Sequence, residues 1–234
     1  MNYFTTPIKL SALALVLALP QISQGQIFGS VEGTYVRSGA ADTNLLGEDR
    51  ALIGFHTTDT LDNMRGVYQF DLSSITETIS SISLTLTRQS FTVGDQFAGP
   101  DDLVLKDLGA AFVDSTVTWN SLAPDGGDVS GLTLSTVAGY DASTITSATF
   151  TSSTNFIAAA NGATAGSNIL SLIVYSPDAE ATGVSATNPV DLSFYRFNDT
   201  ATLNITVVPE PSSYALIFAA ACGVFVVVRR RKVA

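Results

Sequence analysis

Alternation dominates the middle of the chain. In "GVYQFDL", Tyr68, Phe70 and Leu72 alternate with Val67, Gln69 and Asp71; in "ISLTLTR", Ile82, Leu84 and Leu86 alternate with Ser83, Thr85 and Thr87. Successive side chains of a strand leave opposite faces, so a period of two with hydroxyl residues on the second face predicts half-buried antiparallel strands. The same texture recurs in "GTYVR" (33–37), "ALIGF" (51–55), "DLVLKDL" (102–108) and "STVTW" (115–119). Later segments are "ITSATFT" (145–151), "ILSLIVY" (169–175), "DLSFYRF" (191–197) and "ATLNITVV" (201–208). Short strands separated by Gly, Asp, Asn and Pro turns predict a sandwich or barrel rather than βαβ units. One helix is expected over "NFIAAANG", with Ser153 or Thr154 as its cap and Asn161-Gly162 as its stop. The polar stretch 176–189 is expected to be a long exposed loop.

The two ends break this pattern. Lys9, the apolar run from Leu10 to Leu19, Pro20 and the small residues Ser23 and Gly25 form a secretory signal over 1–25, with a cut before Gln26. At the other end Pro209-Glu210-Pro211 precedes an apolar run. Taken from Ser212 to Val228, that run comes close to the ~20 residues a bilayer needs. The basic cluster Arg229, Arg230, Arg231 and Lys232 follows, and the positive-inside rule keeps it cytoplasmic with the bulk of the chain outside. The domain organisation expected is a signal peptide at 1–25, a single domain at 27–208 and a sorting or anchor segment at 209–234. That last segment holds a transmembrane helix at 212–228 and a basic tail at 229–234.

Charge narrows the partners. Between Ile27 and Val208 there are 20 acidic and 6 basic residues, with Lys106 the sole lysine, so the domain repels phosphate backbones and nucleic acid is excluded. The sole cysteine, Cys222, lies in the apolar tail, leaving the domain no disulfide and no thiol metal site. A single histidine, His56, rules out a multi-histidine metal centre.

The order of Pro209-Glu210-Pro211, apolar helix and basic end closely resembles the PEP-CTERM sorting signal of Gram-negative bacteria. The resemblance covers about the last 27 residues. It implies recognition, and a cut near the Pro-Glu-Pro, by a membrane transpeptidase of exosortase type, in cells that make exopolysaccharide. It implies no activity. A second resemblance lies upstream: "TYVRSGAADTNLLG", "RGVYQFDLSSI", "ISSISLTLT" and "VDSTVTWNSLA" are similar to the DNRLRE-domain family across 31–125. Ser83 stands where that family commonly has Ala, and the second half lacks its signature. This resemblance implies a jelly-roll β-sandwich of the kind found on bacterial and archaeal surface proteins, some of them classed as carbohydrate-binding modules.

Candidate chemistry is sparse. The domain's glutamates, Glu32, Glu48, Glu77 and Glu180, sit in no motif and are expected at the solvated surface; glycoside cleavage would need two of them held across a bond. His56 lies in "FHTTDTLDN" with no nucleophile elbow near any serine, and is expected to be a plain surface histidine. Asp101, Asp102, Asp125 and Asp128 offer loop oxygens to one structural calcium, although turns use Asp and Gly for backbone reasons as well. No other cofactor is called for. For sugar binding the candidates are Tyr35, Trp119 and Tyr140, with Tyr175 and Tyr195 as alternatives; Trp119 is expected in the core before it is expected on a sugar. Arg37 and Arg65 could meet an acidic glycan or pair with local carboxylates.

The expectation is therefore an exported, non-catalytic, mainly β protein. It is membrane-anchored facing the periplasm and then sorted to the cell surface or extracellular matrix. A carbohydrate-binding module for exopolysaccharide is the alternative, and a polysaccharide-degrading enzyme comes third.

Overall fold

In a computed structural model of the 234-residue chain, the described residues are 24–45, 49–56, 62–89, 100–122, 126–127, 129–182 and 193–208. The signal segment up to 23, the sorting segment 209–234, Glu48, Asp125, Asp128 and residues 183–189 of the expected loop 176–189 lie outside them.

The protein is mainly β and every strand pairing is antiparallel. The strands are β1 (Gln24–Gly29), β2 (Glu32–Arg37), β3 (Ala51–His56), β4 (Asp62–Asp71), β5 (Thr78–Arg88), β6 (Asp101–Asp107), β7 (Thr133–Tyr140), β8 (Ser147–Phe150), β9 (Ile169–Tyr175) and β10 (Ser193–Val208). They form one sheet in the order β7-β6-β9-β4-β3-β10-β5-β8, with β1 added to β10 and β2 to β4. The sheet curls until its ends meet. Ser135 Oγ on β7 donates to Thr151 O just past β8 at 2.9 Å, and Ser153 Oγ donates to Leu134 O. The result is a nearly closed, barrel-like sandwich.

Two apolar clusters hold it. The interior gathers Tyr68, Phe70, Leu84, Phe150, Phe156, Phe197 and Leu203, all with no exposed surface. Burial of each such side chain contributes about 1.5–3 kcal/mol. A smaller cluster of Val36, Val67, Phe112, Val117, Trp119, Leu122 and Ile173 lies outside β2, β4 and β9, under the segment that follows β6. That cover buries β4 on both faces, so the half-buried strand expected there is a central one. Gln69, on the outward face, keeps its carbonyl oxygen satisfied by Phe112 N at 2.9 Å and Ser171 Oγ at 3.2 Å.

Three expected elements are corrected. "STVTW" is not a strand: Thr116 and Val117 both donate their N–H to Val113 O, and Thr118 and Ser121 cap each other's backbone through their hydroxyls. Local hydroxyl bonding has displaced a ladder there. The expected strands 191–197 and 201–208 are joined: from residue 193 on they form one strand, β10, because Asn198-Asp199-Thr200 is a bulge rather than a turn, with the register passing from Phe197↔Arg88 to Ala201↔Leu86. The helix α1 (Thr154–Ala165) runs past Asn161-Gly162. Asn161 instead clips α1 to β5, accepting from Ile79 N at 2.9 Å and donating to Ile79 O at 3.1 Å. The chain turns at Asn168, whose φ of 62° is left-handed. A short helix, α2 (Pro177–Thr182), occupies the start of the expected loop.

Ser153 is the N-cap of α1, accepting from Phe156 N at 3.0 Å. The variant Ser153→Ala is expected to lose about 1 kcal/mol in chemical denaturation, with an unchanged slope.

Candidate functional site

The aromatic candidates are core residues. Tyr35 is 3% exposed, Trp119 7% and Tyr140 0%, so none presents a ring face to a sugar. Tyr140 stands edge-to-face against Tyr195 at 5.3 Å between ring centres, and burial pushes its hydroxyl up to about 12. Tyr195 is equally buried and donates to Asp101 Oδ2 at 2.9 Å.

Arg65 is buried too, and the structure explains why a charge is tolerated there. Its Nε and Nη2 meet Glu180 Oε1 and Oε2 at 2.8 and 3.0 Å, a two-pronged pair joining β4 to α2. Nη1 donates to Gly127 O at 3.0 Å, and the guanidinium lies 4.8 Å from the Trp119 ring centre and 5.8 Å from that of Tyr175. Glu180 is thus a half-buried ion-pair partner, with 14% of its side chain exposed, rather than the solvated glutamate expected from sequence. Arg37 pairs with Asp62 at 3.3 Å. Arg65 is engaged within the fold, whereas Arg37 pairs through Nε with its side chain still 37% exposed.

Of the calcium candidates, Asp101 and Asp102 open β6 and are occupied. Asp101 accepts from Tyr195, and Asp102 Oδ1 accepts from Gly139 N at 2.9 Å. Burial raises Asp101 above the usual carboxylate range, with Asp178 and Asp102 adding to the effect. Asp125 and Asp128 lie outside the described residues, and among the described residues no three acidic, His or Cys side chains could hold a metal ion. His56 closes β3 with its backbone opposite Asp62.

The sequence pattern gave no sign of a close carboxyl pair. Asp114 Oδ2 accepts from Gly33 N at 2.9 Å, while Asp114 N donates to Glu32 Oε2 at 2.9 Å, so the segment over the outer cluster is buckled to the start of β2. Asp114 Oδ1 is buried with no hydrogen-bond partner. Burial raises Asp114 to about 6; the Gly33 N–H works against this, and Glu32 and Asp199 add to it. A carboxyl raised in the folded state binds its proton more tightly than the unfolded chain does. Stability is therefore gained as pH falls through about 6 toward 4 and lost as pH rises through the same window. The thermal midpoint of the protein should rise on acidification from pH 7.5 to 5. Asp114→Asn, which can still accept from Gly33, should raise the midpoint at pH 7.5 and flatten that rise; a parallel wild-type and variant profile would remove Asp114 as the cause.

The ends of the described chain meet at one place. β10 is paired through its last residues, with Val207 opposite Gln24 on β1 and Ile79 on β5, and Val208 opposite Thr78. Neighbouring strands lie about 4.8 Å apart, so Gln24 and Val207 are adjacent. Pro209 follows Val208 directly, and no spacer separates the ladder from Pro209-Glu210-Pro211. A cut before Gln26 would leave residues 26–29 of β1 still paired with β10. Among the described residues no helix is long and apolar enough to cross a membrane; the expected span 212–228 is not one of the stretches they include.

A scan against protein-family models finds no match, and no curated protein matches. Among solved structures, dimeric latent PorU from Porphyromonas gingivalis aligns with a TM-score of 0.22 at 10% identity. The alignment covers 76% of this chain and 13% of that one, a likeness too slight to bear on fold or function.

Proposed function

We propose that the chain is an exported, non-catalytic β-sandwich of jelly-roll type, delivered by its N-terminal signal and sorted through Pro209-Glu210-Pro211, the apolar segment 212–228 and Arg229 to Lys232. The observation that carries the reading is the meeting of β1 and β10. A signal preceding Gln26 and a sorting segment following Val208 leave the domain side by side. Before processing, one end of the barrel can then face the membrane with both hydrophobic segments inserted in it. An exosortase-type enzyme would receive its motif as a direct continuation of β10, and the processed domain would pass to the cell surface or matrix. The non-catalytic part of the reading is supported by how the carboxylates are used: Glu32, Asp101, Asp102 and Asp114 each accept from a backbone N–H or a tyrosine hydroxyl of their own fold.

The test is fractionation of cells expressing the full chain with Pro209→Ala and Glu210→Ala together. The reading expects full-length precursor to accumulate in the membrane fraction while the unaltered chain is shortened and leaves it. Identical size and distribution of the two would refute it.

A further inference from the structure

We infer that β1 clips the end of β10 in place, so that the signal segment must be removed before the chain is cut at Pro209–Pro211: the first reaction supplies the substrate of the second. This order rests on the sorting reading and adds to it which cut comes first. The clip lies in the register. Thr206 and Val207 sit between two strands, opposite Gly25 and Gln24 on β1 and opposite Ser81 and Ile79 on β5. Val208 pairs with Thr78 on β5. The two ladders differ in quality. On the β5 side the register shifts between Thr206 and Val207, because Ser80 is skipped there and its hydroxyl donates to Thr206 O at 3.1 Å. Beyond that shift β5 holds β10 through Ile79 and Thr78 alone. On the β1 side the register runs without a break from Gln24↔Val207 to Gly29↔Thr202. β1 therefore spans the weak point of the other ladder and keeps Val207 in the core, where it is 1% exposed.

The expected cut before Gln26 falls inside β1 rather than ahead of it. Water hydrolyses the Gly25–Gln26 peptide bond, leaving a carboxylate on Gly25 and an ammonium group on Gln26. Gln24 and Gly25 depart with the signal, while residues 26–29 stay opposite Ile205, Asn204, Leu203 and Thr202. Thr206 and Val207 thereby lose their β1 partners, and the end of β10 keeps only the two β5 pairs beyond the register shift. A strand end paired on one side across an irregularity opens locally far more often than one paired on both. Spacing makes that opening matter. An enzyme that cuts a backbone amide takes the residues around it as an extended chain in its own cleft, and those residues cannot stay in a ladder meanwhile. Pro209 follows Val208 with nothing between, so the residues just upstream of the tail cut are Thr206, Val207 and Val208 themselves. The tail cut breaks an amide at or next to Pro209–Pro211, passing the upstream acyl group to an amine or to water and leaving the tail a new amino terminus. With Gln24 and Gly25 in place the upstream residues are locked; with them gone the residues can peel from β5 and enter the cleft. The order keeps the tail on the domain until the leading segment has left.

Gly25→Leu separates the two cuts. It removes the small residue that the signal cut needs, and the fold accepts it, since Gly25 is exposed with nothing within 4 Å of an added Cβ. Intact masses are compared for wild type, for Gly25→Leu, and for Gly25→Leu with roughly six Gly and Ser residues inserted between Val208 and Pro209. Wild type should lose both ends. Gly25→Leu should keep its first residue and lose its tail at least about tenfold less often. The insertion, which carries the motif clear of the ladder, should restore tail loss with the signal still attached. Equal tail loss by wild type and Gly25→Leu overturns the order and leaves the sorting reading standing. Failure of the insertion to restore the cut also overturns it, since the retained signal would then act as a membrane tether rather than through β1. A wild type that keeps its tail refutes the sorting reading, and the order with it, whereas the clip is read separately by hydrogen exchange in mild detergent. The full-length Gly25→Leu chain is set against the Pro209→Ala, Glu210→Ala chain, which has lost its signal but not its tail. The amides of Thr206 to Val208 should exchange at least about tenfold faster in the latter, and equal rates overturn the clip whatever becomes of the tail.

Discussion

Arg65→Leu is expected to cost about 3 kcal/mol, the lower end of the range for breaking a buried pair, because it leaves the half-buried Glu180 carboxylate without its partner. The same change leaves the Gly127 carbonyl without its donor and takes the cation from between Trp119 and Tyr175. In a domain of this size that loss lowers the thermal midpoint by on the order of 10 °C. Arg65→Lys keeps the charge but neither the two-pronged geometry nor the planar stack, so an intermediate loss is expected. The double variant Arg65→Leu with Glu180→Leu should be more stable than Arg65→Leu alone, since removing both charges relieves the burial that removing one creates. Equal stability of the single and double variants would show that the pair is not coupled as described.

Gly33→Ala should be comparably damaging for a reason that lies in the backbone. A Cβ at residue 33 would sit 1.9 Å from Asp199 O and 3.0 Å from its carbonyl carbon, in the β10 bulge. No rotamer change can relieve a clash with a main-chain carbonyl, so β2 must move off β10, taking with it the Gly33 N–H that Asp114 accepts. The expected cost is about 3 kcal/mol, the upper part of the range for overpacking. Gly162→Ala is the control of opposite sign. That site lies in α1 with nothing within 4 Å of an added Cβ, and alanine there should stabilise by about 1 kcal/mol. Both are read by denaturant titration, and a neutral Gly33→Ala would contradict the close approach of β2 to the bulge.

These residues also show how far the sequence could be read. β4, β5, β9 and the lower half of β10 carry period-two or continuous apolar signals, and they form the centre of the sheet. β7 carries no clear strand signal because its inward side is thin: only Leu134 and Tyr140 are buried, Val137 is partly so, and Ser, Thr, Ala and Gly fill the rest. β1 was missed because its beginning overlaps the expected signal segment and its outward side is Gly-Ile-Gly. Trp119 reads as core and is core, but nothing local reveals that Arg65 lies against it or that Glu180, 115 residues beyond Arg65, completes the ion pair. Such partners are fixed by strand order and crossing segments, which a linear pattern does not contain. The Glu32–Asp114 buckle is hidden for the same reason. Ser83, Thr85 and Thr87 are legible as the outward side of one strand, but their alignment with Asn204, Thr202 and Thr149 depends on a register that only the fold supplies.

The central claim is that this domain is exported and then sorted through the segment after Val208. Intact mass spectrometry of the protein recovered from the cell exterior, grown at native expression, measures both ends at once. The account predicts an N-terminus at Gln26 and a C-terminus at or next to Pro209–Pro211, with the segment through Lys232 absent. A recovered chain that still ends at Ala234 would contradict it.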